Sequence, residues 1–153
     1  MREALLSIWG HDLSGLDCLD LFTGTAAVSV ELIGCGARRV VTIEADPAVA
    51  REVREALRRL EISGIDLREG RLPGGLARCL HPGESFDRVF ADPPYDFVGY
   101  DELLRMVAPW LAPTGELVLE MAARSEVPQV AEFETRATRR YGETLLVRYG
   151  PAH

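Results

Sequence analysis

Short apolar segments alternate with helical patterns along most of the chain, and this alternation constrains the fold more than any other feature. The apolar runs predicted as strands cover residues 16–22, 39–45, 65–69, 86–91 and 116–121. The segments predicted as helices cover residues 2–9, 26–33, 46–60, 72–79 and 100–111. Because strands that alternate with helices pair in parallel, the pattern predicts βα units around a mostly parallel sheet.

The last part of the chain follows a different pattern. Two further strands are predicted over 133–140 and 144–149, and only Tyr141-Gly142-Glu143 separates them. A turn this short joins antiparallel strands, so a hairpin is expected at one edge of the sheet. The whole pattern predicts an α/β, Rossmann-like, doubly wound fold with a seven-stranded, mostly parallel sheet and a C-terminal antiparallel hairpin. With 153 residues, the chain is expected to form one domain over 1–153.

Composition narrows the class of protein. Hydrophobic residues make up 47% and charged residues 27%, an ordinary globular mixture, and no apolar run approaches a membrane span. The three cysteines have no metal-ligand spacing, so reduced thiols, a cytoplasmic location and no metal are expected. The protein is also expected to be a monomer. The net charge of −7 counts against tight, autonomous binding of nucleic acid.

A glycine-bearing turn follows the first predicted strand. Asp20 and Phe22 end that strand, and Gly24 allows a ligand to approach the backbone at the carboxyl edge of the sheet. Only Gly24 of a GxGxxG fingerprint is in place, so the turn does not predict a pyrophosphate cradle. An NAD-dependent oxidoreductase is therefore disfavoured.

Glu44 ends the second predicted strand, roughly 20 positions after the glycine turn, where an acidic residue can accept hydrogen bonds from ribose hydroxyls. Without a pyrophosphate cradle, Gly24 and Glu44 fit an adenosyl ligand such as S-adenosylmethionine better than NAD. The alternative is that Glu44 is a capping or solvent-facing carboxylate. Asp46 is already explained as a helix N-cap before Pro47.

Asp92-Pro93-Pro94-Tyr95 directly follows an apolar strand and carries the strongest chemical signal. The two prolines hold the chain extended and fix the Asp92 carboxylate at the edge of the sheet. Asp92 and the Pro93 carbonyl can accept both N–H groups of an exocyclic amine, which orients its lone pair toward a methyl donor. Tyr95 offers a face for a flipped base. Positioning of this kind predicts methyl transfer; the alternative is a proline stop with an incidental aspartate.

These residues resemble a known class. Asp-Pro-Pro-Tyr is typical of the amino methyltransferases, which include N6-adenine and N2-guanine enzymes. More narrowly, the chain resembles the bacterial 16S ribosomal RNA guanine-N2 methyltransferases of the RsmD type. The similarity covers nearly the whole length, including REAL at 2–5, LDLFTGT at 19–25, VVTIEAD at 40–46, FDRVFADPPY at 86–95 and RRYGETLLVRY at 139–149.

The resemblance implies roles for particular residues. The residues that would bind S-adenosylmethionine, and its product S-adenosylhomocysteine, are Asp20, Phe22, Gly24, Thr25, Glu44 and Ala45. The residues that would hold the guanine during catalysis are Asp92, Pro93, Pro94 and Tyr95. The implied partner is 16S ribosomal RNA, recognised within a small-subunit assembly particle that supplies contacts an acidic protein lacks.

The chain departs from the family pattern at three places. Ala26 replaces a glycine; its methyl group would either crowd the cofactor or be tolerated, as small residues are at this position in many methyltransferases. Arg71 stands where the family has an acidic residue facing the adenine, so either Glu69 substitutes or cofactor affinity falls. By this comparison the family's basic N-terminal arm is missing before Met1.

Two alternatives to the guanine-N2 activity stay open. One is N6-adenine methylation of DNA or RNA, which the closing RRYGETLL block disfavours. The other is a truncated or catalytically silent relative, for which Ala26, Arg71 and the missing arm are the evidence.

Overall fold

The computed structural model of the protein describes residues 2–22 and 24–153. The elements, in chain order, are α1 (Arg2–Trp9), β1 (Asp17–Leu21), α2 (Ala27–Gly34), β2 (Arg39–Glu44), α3 (Pro47–Arg59), β3 (Ile65–Glu69), α4 (Leu76–Cys79), β4 (Phe86–Ala91), α5 (Tyr100–Val107), a 3-10 helix (Ala108–Trp110), β5 (Leu111–Ala122), β6 (Phe133–Tyr141) and β7 (Thr144–Pro151).

The strands form one seven-stranded sheet in the order β3-β2-β1-β4-β5-β7-β6. The first five strands in this order are parallel, while β7 pairs antiparallel with both β5 and β6. The predicted doubly wound sheet and its C-terminal hairpin are therefore confirmed. Leu21, Ala91 and Leu119 lie side by side across β1, β4 and β5, so the carboxyl ends of these strands share one edge.

The core lies on both faces of the sheet because successive side chains of a strand point in opposite directions. In β1, Leu19 and Leu21 pack in a cluster that includes α5, whereas Cys18 packs in a second cluster with Leu32 of α2. All of β1 is buried, as expected for a central strand covered by helices on both faces.

Three predicted boundaries are wrong by four or five residues; the cause is local for the two helices, and for the strand it is pairing with a distant strand. Helix α5 ends at Val107 rather than 111, because Pro109 lacks an N–H donor and continues only as a 3-10 turn. Helix α4 begins at Leu76 rather than 72, after a stretch containing Pro73 and two glycines. Strand β5 begins at 111 rather than 116, since Leu111 pairs with Phe86 before the register shifts.

The Glu116 carboxylate ties the first helix to the C-terminal hairpin. It accepts hydrogen bonds from the Trp9 indole at 3.2 Å and from the Arg148 guanidinium at 2.8 Å. Arg136 also approaches it at 3.7 Å. Arg136 and Arg148 of the hairpin are therefore engaged in the fold. In the described part of the chain, no helix has the length and apolar character needed to cross a bilayer.

Candidate active site

The loop between β1 and α2 has an unusual backbone. Phe22, Gly24 and Ala26 all have positive φ values, of 62°, 55° and 64°. Non-glycine residues rarely adopt this left-handed conformation, and they cluster at ligand-binding turns when they do. The loop therefore holds a strained shape at the carboxyl edge of the sheet.

Asp20 lies directly before this loop and supports it from inside. The side chain is 2% exposed, and its Oδ2 accepts a hydrogen bond of 2.6 Å from the Ser29 hydroxyl in α2. The Asp20 carbonyl accepts a bond of 3.1 Å from Thr42 in β2. Asp20 thus links β1 to helix α2 and to strand β2.

A cavity of about 700 Å³ opens at this edge of the sheet. We call it the cofactor cavity. Its lining residues are Phe22, Gly24, Ile43, Glu44, Ala45, Asp46, Pro47, Gly70, Arg71, Leu72, Asp92, Pro94 and Phe97. Four of the six predicted cofactor residues are among them; Asp20 and Thr25 are not. Thr23, in the predicted glycine turn, lies outside the described residues.

Glu44 is held at the rim of the cofactor cavity by the chain that follows it. Its Oε2 accepts a hydrogen bond of 2.8 Å from the backbone N–H of Asp46. Asp46 in turn caps α3 as predicted, because its side chain accepts from the N–H of Ala48 at 2.8 Å. One Glu44 oxygen therefore has a local structural partner, and this bond fixes the direction of the carboxylate.

Glu69 does not take the place of the family's adenine-facing acid in this structure. Its carboxylate pairs with the Arg54 guanidinium at 2.8 Å, and Glu69 does not line the cofactor cavity. The cavity wall here consists of Gly70, Arg71 and Leu72. Any hydrogen bond from this segment to the adenine would have to come from its backbone or from Arg71.

Ala26 does not line the cofactor cavity. It is 1% exposed and packs with Ala50, Val53 and Leu67. Ala26 is absent from the cavity lining because its left-handed backbone turns the methyl group toward α3 and β3. The replacement of a glycine by alanine therefore affects the core instead.

A second, smaller cavity of about 160 Å³ adjoins the first. We call it the acceptor cavity. Its lining residues are Asp92, Pro93, Pro94, Tyr95, Tyr100, Glu120, Met121, Ala122, Glu143 and Thr144. All four predicted catalytic residues line it, and Asp92 and Pro94 also line the cofactor cavity. The two cavities therefore meet at Asp92 and Pro94.

Aromatic side chains connect the two cavities. The Phe97 ring packs edge to face against Phe22 at 5.4 Å and against Tyr100 at 5.2 Å, measured between centroids. Tyr95 is 64% exposed, and the Arg124 guanidinium lies 4.4 Å from its ring centroid and contacts its hydroxyl. Sequence reasoning missed Phe97 and Arg124, since neither belongs to a recognisable motif.

Glu120 is a second carboxyl beside Asp92, and sequence reasoning missed it too. The two carboxyls are close enough that a proton on one can be hydrogen-bonded to the other. Burial, followed by this contact and the Asp92 charge, raises the pKa of Glu120 to about 7. Burial also raises the pKa of Asp92, although its bond to Glu120 opposes that shift. Only the β4–β5 register reveals the pair, because it places position 120 beside position 92.

The pKa of Tyr100 is raised as well, chiefly by burial and secondarily by the charge of Asp92. The acceptor cavity thus gathers groups whose pKa values are shifted by burial and, to a lesser extent, by one another, which is typical of functional sites. Across 2–22 and 24–153, no group of three or more metal-ligating side chains is placed to hold a metal ion.

Comparisons with known proteins agree with this architecture. The sequence profile described as Conserved hypothetical protein 95 matches residues 1–150. No curated protein matches the chain in sequence.

Solved structures match the chain over almost its whole length. A candidate methyltransferase, yhhF from Escherichia coli, is 23% identical, with a TM-score of 0.85 over 99% of this chain and 83% of that one. A candidate methylase, HI0767 from Haemophilus influenzae, is 20% identical, with a TM-score of 0.80 over 99% and 96%. TrmN from Thermus thermophilus is 23% identical, with a TM-score of 0.76 over 98% of this chain but 48% of that one. These likenesses establish a methyltransferase fold, and the profile match shows that the chain belongs to the Conserved hypothetical protein 95 family.

Proposed function

We propose that this protein transfers a methyl group from S-adenosylmethionine to the exocyclic N2 of a guanine in 16S ribosomal RNA. The observation that carries the proposal is the meeting of the two cavities at Asp92 and Pro94. A donor in the larger cavity and an amine in the smaller one would approach each other at the Asp92 carboxylate. Proximity at one fixed point supplies most of what a methyl transfer needs.

The cofactor cavity fits an adenosyl ligand. Its volume is in the range of small-molecule sites, and the apolar side chains of Phe22, Ile43 and Leu72 form part of its wall. The Glu44 carboxylate at the rim would accept hydrogen bonds from the ribose hydroxyls. When bound, S-adenosylmethionine supplies an activated methyl group on a positively charged sulfur.

The acceptor cavity fits an amine on a planar base. Asp92 and the Pro93 carbonyl would accept its two N–H groups, and the two prolines would keep both acceptors in place. The exposed Tyr95 ring would stack on the base, and a flipped base would first have to displace Arg124 from that ring. The roles of these groups are to bind the base and to orient its amine by accepting hydrogen bonds from it.

The choice of guanine and of ribosomal RNA rests on the resemblance in sequence. The RRYGETLL segment at 139–146 supports guanine over adenine, and membership of the Conserved hypothetical protein 95 family agrees with the resemblance. The net charge of −7 favours recognition within a protein-bearing small-subunit assembly particle. N6-adenine methylation is the rival acceptor chemistry.

The donor half of the proposal is tested by calorimetric titration with S-adenosylmethionine and S-adenosylhomocysteine. Micromolar binding of both is expected, which would show that Arg71 is tolerated in the cavity wall. An absence of binding would contradict the proposal and favour a catalytically silent relative.

The acceptor half is tested by identifying the methylated nucleoside. Transcribed 16S RNA, alone and assembled into small-subunit particles, would be incubated with the protein and S-adenosylmethionine, then digested and analysed by mass spectrometry. N2-methylguanosine is expected, with a higher yield from the particles. N6-methyladenosine would overturn the choice of guanine.

A further inference from the structure

Glu120 has no part in the transfer described so far, yet it lies beside the central residue of the site. Leu119 is opposite Ala91 in the β4–β5 register, so Asp92, the first residue after β4, follows beside Glu120 of β5. Both line the acceptor cavity, and a proton on one carboxyl can be hydrogen-bonded to the other. Oε1 of Glu120 is buried and has no hydrogen-bond partner within the described residues. A buried carboxyl oxygen without a donor is a free position for a proton.

Methylation of a neutral amine creates a need for such a position. The nitrogen lone pair forms a bond to the methyl carbon, while the carbon–sulfur bond breaks and its electron pair stays on sulfur. The nitrogen then carries a positive charge, and it must lose one of its protons to become a neutral secondary amine. An acceptor that titrates near the working pH suits this step best.

We propose that Asp92 and Glu120 act together as the proton acceptor of the reaction. Asp92 takes the proton from the methylated nitrogen, and Glu120 shares it through the hydrogen bond between the two carboxyls. Asp92 is the catalytic residue because it touches the amine, whereas Glu120 is a positioning residue that acts through Asp92. The inference rests on the function proposed above.

The charges at the site support this assignment. Two adjacent carboxylates repel, so the pair holds one proton more tightly than a lone carboxylate would. This agrees with the part that the Asp92 charge plays, after burial, in raising the pKa of Glu120 to about 7; the pKa of Asp92 itself is raised by burial. Because the groups interact strongly, they titrate as a unit.

No other group in the described lining of the acceptor cavity neutralises the pair. Tyr100 faces it from α5, and Glu143 lines the cavity from the β6–β7 turn. Tyr95 lies on the open side, with the Arg124 guanidinium over its ring. The described lining contains no lysine, arginine or histidine.

The proposal sets the sign of the pH dependence. Above about pH 7 the pair is ionised and can take the proton; below it, one proton already occupies the pair. The rate of methyl transfer should therefore fall as the pH decreases through about 7. Glu120→Gln removes the carboxyl whose pKa is about 7, so the acid limb of the profile (the fall in rate at low pH) moves to lower pH. Its plateau rate should fall by about 10-fold or more, because a lone Asp92 is a weaker base.

The test is a single-turnover pH profile on small-subunit particles assembled from transcribed 16S RNA. Wild type, Glu120→Gln and Glu134→Gln would be compared; Glu134 is an exposed carboxylate on β6 and serves as the matched control. Only in Glu120→Gln do we expect the acid limb to move to lower pH and the plateau rate to decrease. An acid limb that coincides with that of the wild type would overturn the proposal.

Carbon NMR titration of the side-chain carboxyls in the cofactor-free protein gives a reading that does not depend on turnover. Glu120 should titrate near pH 7 in the wild type and at lower pH in Asp92→Asn. The pairing would be contradicted if Glu120 titrated in the ordinary range of a glutamate and its pKa did not change in Asp92→Asn. If the wild type transfers no methyl group, the proposed function fails, and this titration alone decides whether the pair exists.

Discussion

The two halves of the sheet edge that meet at Asp92 are built by different means. On the β1–β3 side, the site depends on backbone shape: left-handed Phe22 and Gly24 form the loop, and an amide N–H orients Glu44. On the β4–β5 side, it depends on side chains with shifted proton affinities, Asp92 and Glu120. The β1–β3 side therefore has the shape to bind the cofactor, and the β4–β5 side has the carboxyl groups to act on the amine.

This difference implies that binding and chemistry can be changed separately. Residues of the first half should alter the dissociation constant of the cofactor, because they contribute similar contacts before and during the reaction. Residues of the second half should alter the rate, because their charge matters when charge develops on the amine. Mutations of Glu44 or of Asp92 that changed both quantities equally would contradict this division.

The largest effect is expected at Asp92. Asp92→Ala removes the carboxylate that orients the amine, so single-turnover methyl transfer should fall by at least about 100-fold. Its affinity for S-adenosylmethionine should stay within a few-fold, as measured by calorimetry. Near-normal turnover would show that Asp92 does not hold the amine.

Glu44→Ala should have the opposite profile. Loss of a charge-assisted hydrogen-bond pair weakens cofactor binding by about 1–3 kcal/mol, with little change in the rate at saturating cofactor. Glu52→Ala, an exposed carboxylate on α3, is the matched control for charge. If Glu44→Ala bound the cofactor like the control, Glu44 would serve only to hold the Asp46 amide.

Phe97→Leu should affect both halves, because its ring contacts Phe22 on one side and Tyr100 on the other. Loss of aromatic packing costs about 0.5–1.5 kcal/mol per pair, so affinity and rate should each fall by a few-fold. Calorimetry and single-turnover assays on the same preparation would measure the two. A change confined to one of them would assign Phe97 to that half alone.

The smallest effect is expected for Ala26→Gly. Glycine relieves the left-handed backbone by about 1 kcal/mol, whereas loss of the buried methyl group costs about 0.8 kcal/mol. The free energy of unfolding in urea should therefore change little, and cofactor affinity should not change. A marked gain in affinity would mean that the Ala26 methyl group does crowd the cavity.

The sequence was sufficient where local signals decide the structure. Strands β3 and β4 have the predicted bounds, since glycine or proline residues flank their apolar runs. The Asp46 cap and the hairpin were also predictable, because both depend on neighbours in the chain. The mostly parallel pairing of the strands followed from the alternation of elements, although their order in the sheet did not.

Features that depend on distant parts of the chain could not be predicted in this way. The pairing of Leu111 with Phe86 extends β5 beyond its apolar run. The contact between Asp92 and Glu120 depends on the register of two strands that are separated by a helix. The direction of the Ala26 methyl group depends on a φ angle that its sequence neighbours do not specify.

The most direct test of the central claim is a crystal structure with S-adenosylhomocysteine bound. The ribose hydroxyls are predicted to contact the Glu44 carboxylate, and the sulfur is predicted to face Asp92 and Pro94, where the two cavities meet. A ligand bound elsewhere, or with its sulfur directed away from Asp92, would contradict the account.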